Sequence, residues 1–208
     1  MPGRRFLALA AALVLTTAAA APASAAPAHY DRAAAAAYIA KHWDDPARIR
    51  VTILGVTLYQ ADDCAWFASS VLWAGGLEQS RTWDASSSTK ALLSSVRLAN
   101  PGPTKTVMLA DRLEKYLVAT GQATSSEVDL AKGGIPGAAV GDLVAYDWND
   151  NGVIDHVSVV ESVRGGRVDT AQHNINLHHQ AWNWSREHGE TILKSYAHPR
   201  AWLVHVTG

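Results

Sequence analysis

Hydrophobic and polar positions change rhythm partway along the chain. From Tyr30 to Trp43 alanine predominates (YDRAAAAAYIAKHW), which favours a helix, and Asp44-Asp45-Pro46 ends the run. Residues 63–74 (DCAWFASSVLWA) put Phe67, Val71 and Ala74 on one helical face. Asp62 or Asp63 can cap the start and Gly75-Gly76 stops the helix. Residues 78–103 are rich in Ser, Thr, Asn and Pro and read as a long surface excursion. Thr104 can cap a third helix reaching about Thr120, with Val107, Leu109, Leu113, Tyr116 and Leu117 on its face. Beyond Gly133-Gly134-Ile135-Pro136-Gly137 the period falls to two. Residues 141–148, 153–163, 167–174 and 201–207 read as strands, with hairpin turns at Asn151-Gly152 and Gly165-Gly166. Helices first and an antiparallel sheet afterwards is an α+β order.

Composition narrows the class. The 208 residues, 48% hydrophobic and 18% charged, suit one ordinary domain. Residues 1–25 read as a secretory signal: Arg4 and Arg5, an apolar stretch from Phe6 to Leu15, then Ala23-Ser24-Ala25 at a cleavage site. Removal leaves a single domain over 26–208, expected to be secreted and not held by a membrane. Its formal charge moves from −1 to about −3, which gives no basic excess for a nucleic-acid partner. Cys64 is the only cysteine, so an intramolecular disulfide or a multi-thiolate zinc site is excluded. A lone thiol in an oxidising compartment is either buried or in use. At the first turn of its helix, Cys64 would have its thiolate favoured by the helix amides.

A thiol nucleophile needs a base, and the base an orienting group. His156 stands early on a strongly apolar strand, where an imidazole needs a reason. If Gly165-Gly166 forms a two-residue hairpin loop, Arg164 faces Arg167, Ser158 faces His173 and His156 faces Ile175. His156 and His173 are then diagonal neighbours on one face, roughly 7–8 Å apart. Gln172 and Asn174 point the other way unless a bulge reverses the parity, in which case Asn174 or Gln172 takes the place of His173.

Other patterns point elsewhere. Asp147 to Asp155 (DWNDNGVID) reproduces the first nine places of an EF-hand loop, which makes calcium a candidate ion there. Ser158 nevertheless stands where the bidentate Glu belongs, and the flanks read as strands. His178, His179 and His188 bring zinc to mind but lack a His-Glu-x-x-His spacing. Trp182 and Trp184, with Trp66 and Trp83, offer flat indole area for a glycan-contacting cleft.

Several pieces in order resemble the bacterial "putative amidase domain" family, within the papain-like clan of cell-wall hydrolases that includes NlpC-type and CHAP domains. They are Tyr30-Asp31-Arg32 with Tyr38 and Trp43; Asp63-Cys64 with Phe67-Ala68-Ser69 and Ala74-Gly75-Gly76; Gly141-Asp142-Leu143-Val144; and Asp155-His156 with Val159-Val160. The resemblance implies a papain-like α+β fold with Cys64 as nucleophile and His156 as general base. It also implies a polar third residue on the next strand, where His173 falls. Gln60, Asp63 and Trp66 are the expected substrate contacts, and the Cys64 N–H, joined by Gln60, the expected oxyanion donor. Trp66 and Ser70 stand where the family often carries Asn and Gln. The implied activity is hydrolysis of amide bonds, in peptidoglycan or a peptide, with no cofactor required. The alternative is a secreted wall- or calcium-binding module on a catalytically dead scaffold.

Overall fold

The computed structural model describes residues 29–46, 50–53, 56–60, 63–85 and 103–207, with side chains described outside 47–62. The proposed signal and most of the 78–103 excursion lie outside the described residues, as does the side chain of Gln60.

Helix α1 (Arg32–His42) begins at Asp31, whose carboxylate accepts the amides of Ala33 and Ala34. A short antiparallel pair, β1 (Arg50–Ile53) and β2 (Val56–Gln60), precedes α2 (Cys64–Ala74). The expected third helix is two: α3 (Lys105–Met108) and α4 (Ala110–Ala119). Leu109 between them is extended (φ −125°, ψ 124°) and 47% exposed, not part of the buried face. Val107, Leu113 and Leu117 are fully buried as expected.

The six strands of the main sheet are β3 (Ala123–Val128), β4 (Leu143–Asp147), β5 (His156–Arg164), β6 (Arg167–Gln172), β7 (Leu177–Ala181) and β10 (Arg200–Val206). Their spatial order is β3-β10-β4-β5-β6-β7, antiparallel throughout. A two-stranded ribbon, β8 (Trp184–Ser185) and β9 (Glu190–Thr191), leads into α5 (Ile192–Ser195). The architecture is α+β.

Alternation along the strands divides the core in two. Leu143, Ala145, Val157, Val159 and Ala171 pack with Phe67, Val71 and Leu72 of α2. Val144, Tyr146, Val160, Val168 and Leu203 pack with Ile135, Trp182 and Ile192 on the opposite face. Each fully buried aliphatic side chain contributes about 1.5–3 kcal/mol, so both faces are strongly specified.

One corner ties the first helix to both ends of the sheet. Buried Asp142 accepts from Arg32 Nη1 (2.8 Å), His205 Nδ1 (2.8 Å), and the amides of Ala139 and Val206. Arg32 also donates to the carbonyls of Val140 and Val206. The Tyr30 hydroxyl donates to the Gly141 carbonyl, and burial pushes its phenol well above the ordinary range. The Tyr30 ring lies so close to Gly75 that a Cβ there would fall 2.1 Å from a ring carbon. Most of the Tyr30-Asp31-Arg32, Gly75 and Gly141-Asp142 pieces therefore meet here, as scaffold.

Candidate active site

Cys64 is the first residue of α2 and is 5% exposed. Asp63, its N-cap, makes no side-chain cap bond. Its carboxylate instead meets His173 Nδ1 at 3.0 Å, and both groups are buried. The other ring nitrogen of His173 donates to the His42 carbonyl at the end of α1 (3.0 Å), and the ring stacks on Phe67 with centroids 4.2 Å apart. The Asp63 amide donates to Asn174 Oδ1 at 2.7 Å. Asn174 reaches it from a left-handed conformation (φ 91°) that Asn adopts more readily than most residues. His173 and Asn174 thus clamp the start of α2.

His156 is the first residue of β5, opposite Tyr146 of β4. Its Nε2 meets Gln172 Oε1 at 3.1 Å. A carbonyl oxygen only accepts, so Nε2 carries the proton and Nδ1 is the basic nitrogen of the ring. Around it, Tyr196, Trp148 and Tyr146 stack in series at 4.4 and 4.9 Å, with the imidazole 5.9 Å from the Tyr146 ring and 6.0 Å from Trp148. The Tyr146 hydroxyl donates to the Trp182 carbonyl (2.7 Å) and lies 3.1 Å from Ser158 Oγ; burial pushes that phenol well above its ordinary range. His156, Gln172, Asn174, Trp148, Trp182 and Trp184 line a cleft of about 400 Å³.

The expected pairing of His156 with His173 is not what the sheet makes. The hairpin begins in the expected register, Arg164 opposite Arg167 and Val163 opposite Val168. Between Val160 and Ser162 the register then shifts, leaving Glu161 as an extra residue, and Val160 pairs with Thr170. One inserted residue reverses the parity. Gln172 joins His156, while His173 turns to the α2 side against Phe67. Gln172 thus takes the place beside His156 that a reversed parity opens to it or to Asn174, and nothing local in the sequence marks the bulge.

Two expected substrate contacts are also repositioned. Asp63 is 1% exposed with its carboxylate on His173, and Trp66 is packed in the core. The predicted tryptophan wall is divided: Trp83 is fully buried, its indole N–H on Ser69 Oγ, whereas Trp182 and Trp184 line the cleft together with Trp148. Cys64 does not line that cleft. Its helix start and His156 are nevertheless attached to the same short segment: Asp63 is bonded to residues 173 and 174 and His156 to residue 172, three consecutive residues spaced about 3.8 Å apart.

In the Asp147–Asp155 loop the carboxylates serve the loop itself. Asp147 accepts amides of Asn149, Asn151 and Gly152; Asp155 accepts that of Trp148; Asp150 pairs with Arg200. Burial pushes the Asp147 carboxyl up, but the backbone N–H groups outweigh it and hold it below its ordinary value. Asn151-Gly152 sits within this longer connection, not in a two-residue hairpin turn. The three histidines considered for zinc part company: His188 Nδ1 meets Ser185 Oγ (2.9 Å), while His178 and His179 gather at Glu161.

Comparison with known proteins gives the family of the chain. A family model described as "Putative amidase domain" matches residues 29–195. The chain belongs to that family. Membership suggests amide hydrolysis, and the match spans α1, α2, the His156 strand and every cleft-lining residue but Tyr196. No curated protein and no solved structure matches the chain.

Proposed function

We propose that this family member is a secreted cysteine amidase of papain-like mechanism, acting on amide bonds of peptidoglycan. The observation that carries the reading is the convergence on residues 172–174. The helix that opens with Cys64 is clamped to His173 and Asn174, and His156 is held by the neighbouring Gln172. With its Nε2–H donated to Gln172, His156 presents Nδ1 as the base for the Cys64 thiol. The thiolate attacks the amide carbonyl carbon, and N–H groups at the start of α2 stabilise the oxyanion. The imidazolium protonates the departing amine as the C–N bond breaks. Water, deprotonated by the same imidazole, then cleaves the thioester, releasing the acid and restoring the thiol.

The cleft supports a polymer substrate. Trp148 and Trp184 give flat apolar walls with polar edges, a surface suited to a glycan or stem peptide. An exported enzyme, as the first 25 residues suggest, meets that polymer in the cell wall. Mass spectrometry of fragments released from purified peptidoglycan tests the reading. Wild-type protein should release free amines and carboxylates. Cys64→Ala and His156→Ala should lower the rate at least about 10³-fold with melting temperatures unchanged. Equal release by either variant would reject the mechanism and leave a wall-binding module as the better description.

A further inference from the structure

We propose that Glu161, His178 and His179 form a binding site for a divalent transition ion of zinc type, separate from the cleft. The three residues are half-buried to exposed, and their ligand atoms lie within 4.8 Å of one another; among the described residues they form the single such group. His179 Nδ1 lies 3.0 Å and His178 Nδ1 3.7 Å from Glu161 Oε1. Those separations bracket the roughly 3.3 Å between neighbouring ligand atoms in a tetrahedral zinc site with bonds near 2.0–2.1 Å. Two imidazoles and one carboxylate leave the fourth position to water. None of the three residues lines the cleft.

The backbone builds this cluster. Glu161 and the histidines come from β5 and β7, which flank β6 and do not touch as neighbours in the sheet. Adjacent residues of a regular strand point to opposite faces, which would separate His178 from His179. Here Gln172 pairs with Leu177 and Thr170 with Gln180, so both histidines stand opposite Ala171 alone. His179 takes up the irregularity with φ at 53°. Glu161 is likewise the extra residue of the β5 irregularity. Two bulges on two strands therefore turn three ligand-bearing residues to one point, the use to which bulges are often put. The orientation is fixed further. Glu161 Oε2 accepts the His179 amide at 2.6 Å, which leaves Oε1 towards both rings, and His178 stacks on Trp43 at 3.9 Å. Such supporting contacts hold metal ligands in place in known sites.

Isothermal titration of the full chain with zinc chloride, with parallel melting curves, tests the site. Wild-type protein should bind one equivalent and melt at a higher temperature when saturated. Glu161→Gln and His179→Asn, the latter chosen because Asn tolerates a positive φ, should each weaken binding roughly tenfold or more and lose the thermal gain. Cys64→Ala should bind as the wild type does. The proposal is overturned if wild-type protein takes up no zinc, if both Glu161→Gln and His179→Asn bind it undiminished, or if Cys64→Ala abolishes binding.

Discussion

On one face of the sheet His156 gives a ring nitrogen to Gln172 and stands in the wall of a cleft among tyrosines and tryptophans. On the other, His173 is held at both nitrogens, by the Asp63 carboxylate and the His42 carbonyl, with Phe67 against its ring. Both imidazoles are almost fully buried, and they come from the same end of adjacent strands. Burial therefore does not distinguish them; the partners do. An imidazole whose two nitrogens face structural acceptors ties elements together. One whose Nε2–H is donated to a neutral side-chain amide in a cleft wall is oriented, with Nδ1 as its basic nitrogen.

Substitutions should break this contrast in opposite directions. The largest effect on the fold is expected at His173. His173→Ala removes the tie between α1, α2 and β6 and leaves a buried carboxylate without its imidazole, at a cost of about 3 kcal/mol. Calorimetry should show a melting temperature lower by about 10 °C, while peptidoglycan cleavage per folded molecule falls less than His156→Ala makes it fall. Full inactivation of a normally stable His173→Ala protein would instead place that ring in the chemistry. Next in size is Gln172→Ala, which frees the His156 ring to rotate. Its kcat should drop about 10- to 100-fold with KM and stability little changed, and Gln172→Asn should not restore it fully, because the shorter side chain falls short of Nε2.

The smallest effect belongs to Asp147, beside the cleft-facing strand. Its folded-state carboxyl lies below the ordinary value of 3.8, so the stability it contributes is complete above that value and is lost as pH falls through the depressed one. Asp147→Asn keeps an acceptor but not the charge. It should cost about 1 kcal/mol at neutral pH and flatten the acid side of the melting-temperature profile between pH 5 and pH 3, pH values set by the ordinary carboxylate range.

The parts of the fold legible from the chain are those with buried, periodic faces. The α1 and α2 helices, and strands β4, β5, β6 and β10, are marked by alanine content or by alternation, and the structure has them within a few residues of the expected bounds. Strands β3 (ATSSEV) and β7 (LHHQA) sit at the two edges of the sheet, where one side chain in two need not be apolar, and their sequences carry no strand signal. The β1–β2 pair, RVTI and VTLYQ, carries β-branched residues, a strand signal too short to stand out between two helices. The break at Leu109 has neither Pro nor Gly to announce it. At the candidate site, Cys64 and His156 stand out from residue type and position alone. Their partners depend on a long-range pairing whose parity one inserted residue reverses, and a register extrapolated from a turn cannot contain that residue. The same irregularity that displaced His173 from the expected face brought Glu161 to the two histidines of β7.

The place of β10 has a consequence for how the molecule comes into being. β10, the last strand among the described residues, is inserted between β3 and β4, and the Val206 carbonyl is held by Arg32 across 174 positions of sequence. Before β10 docks, the sheet is in two pieces and the first helix lacks its tie to Val206, though Arg32 can still reach Asp142 and Val140. Docking of β10 is therefore the step that joins β3 to the rest of the sheet and completes the fold.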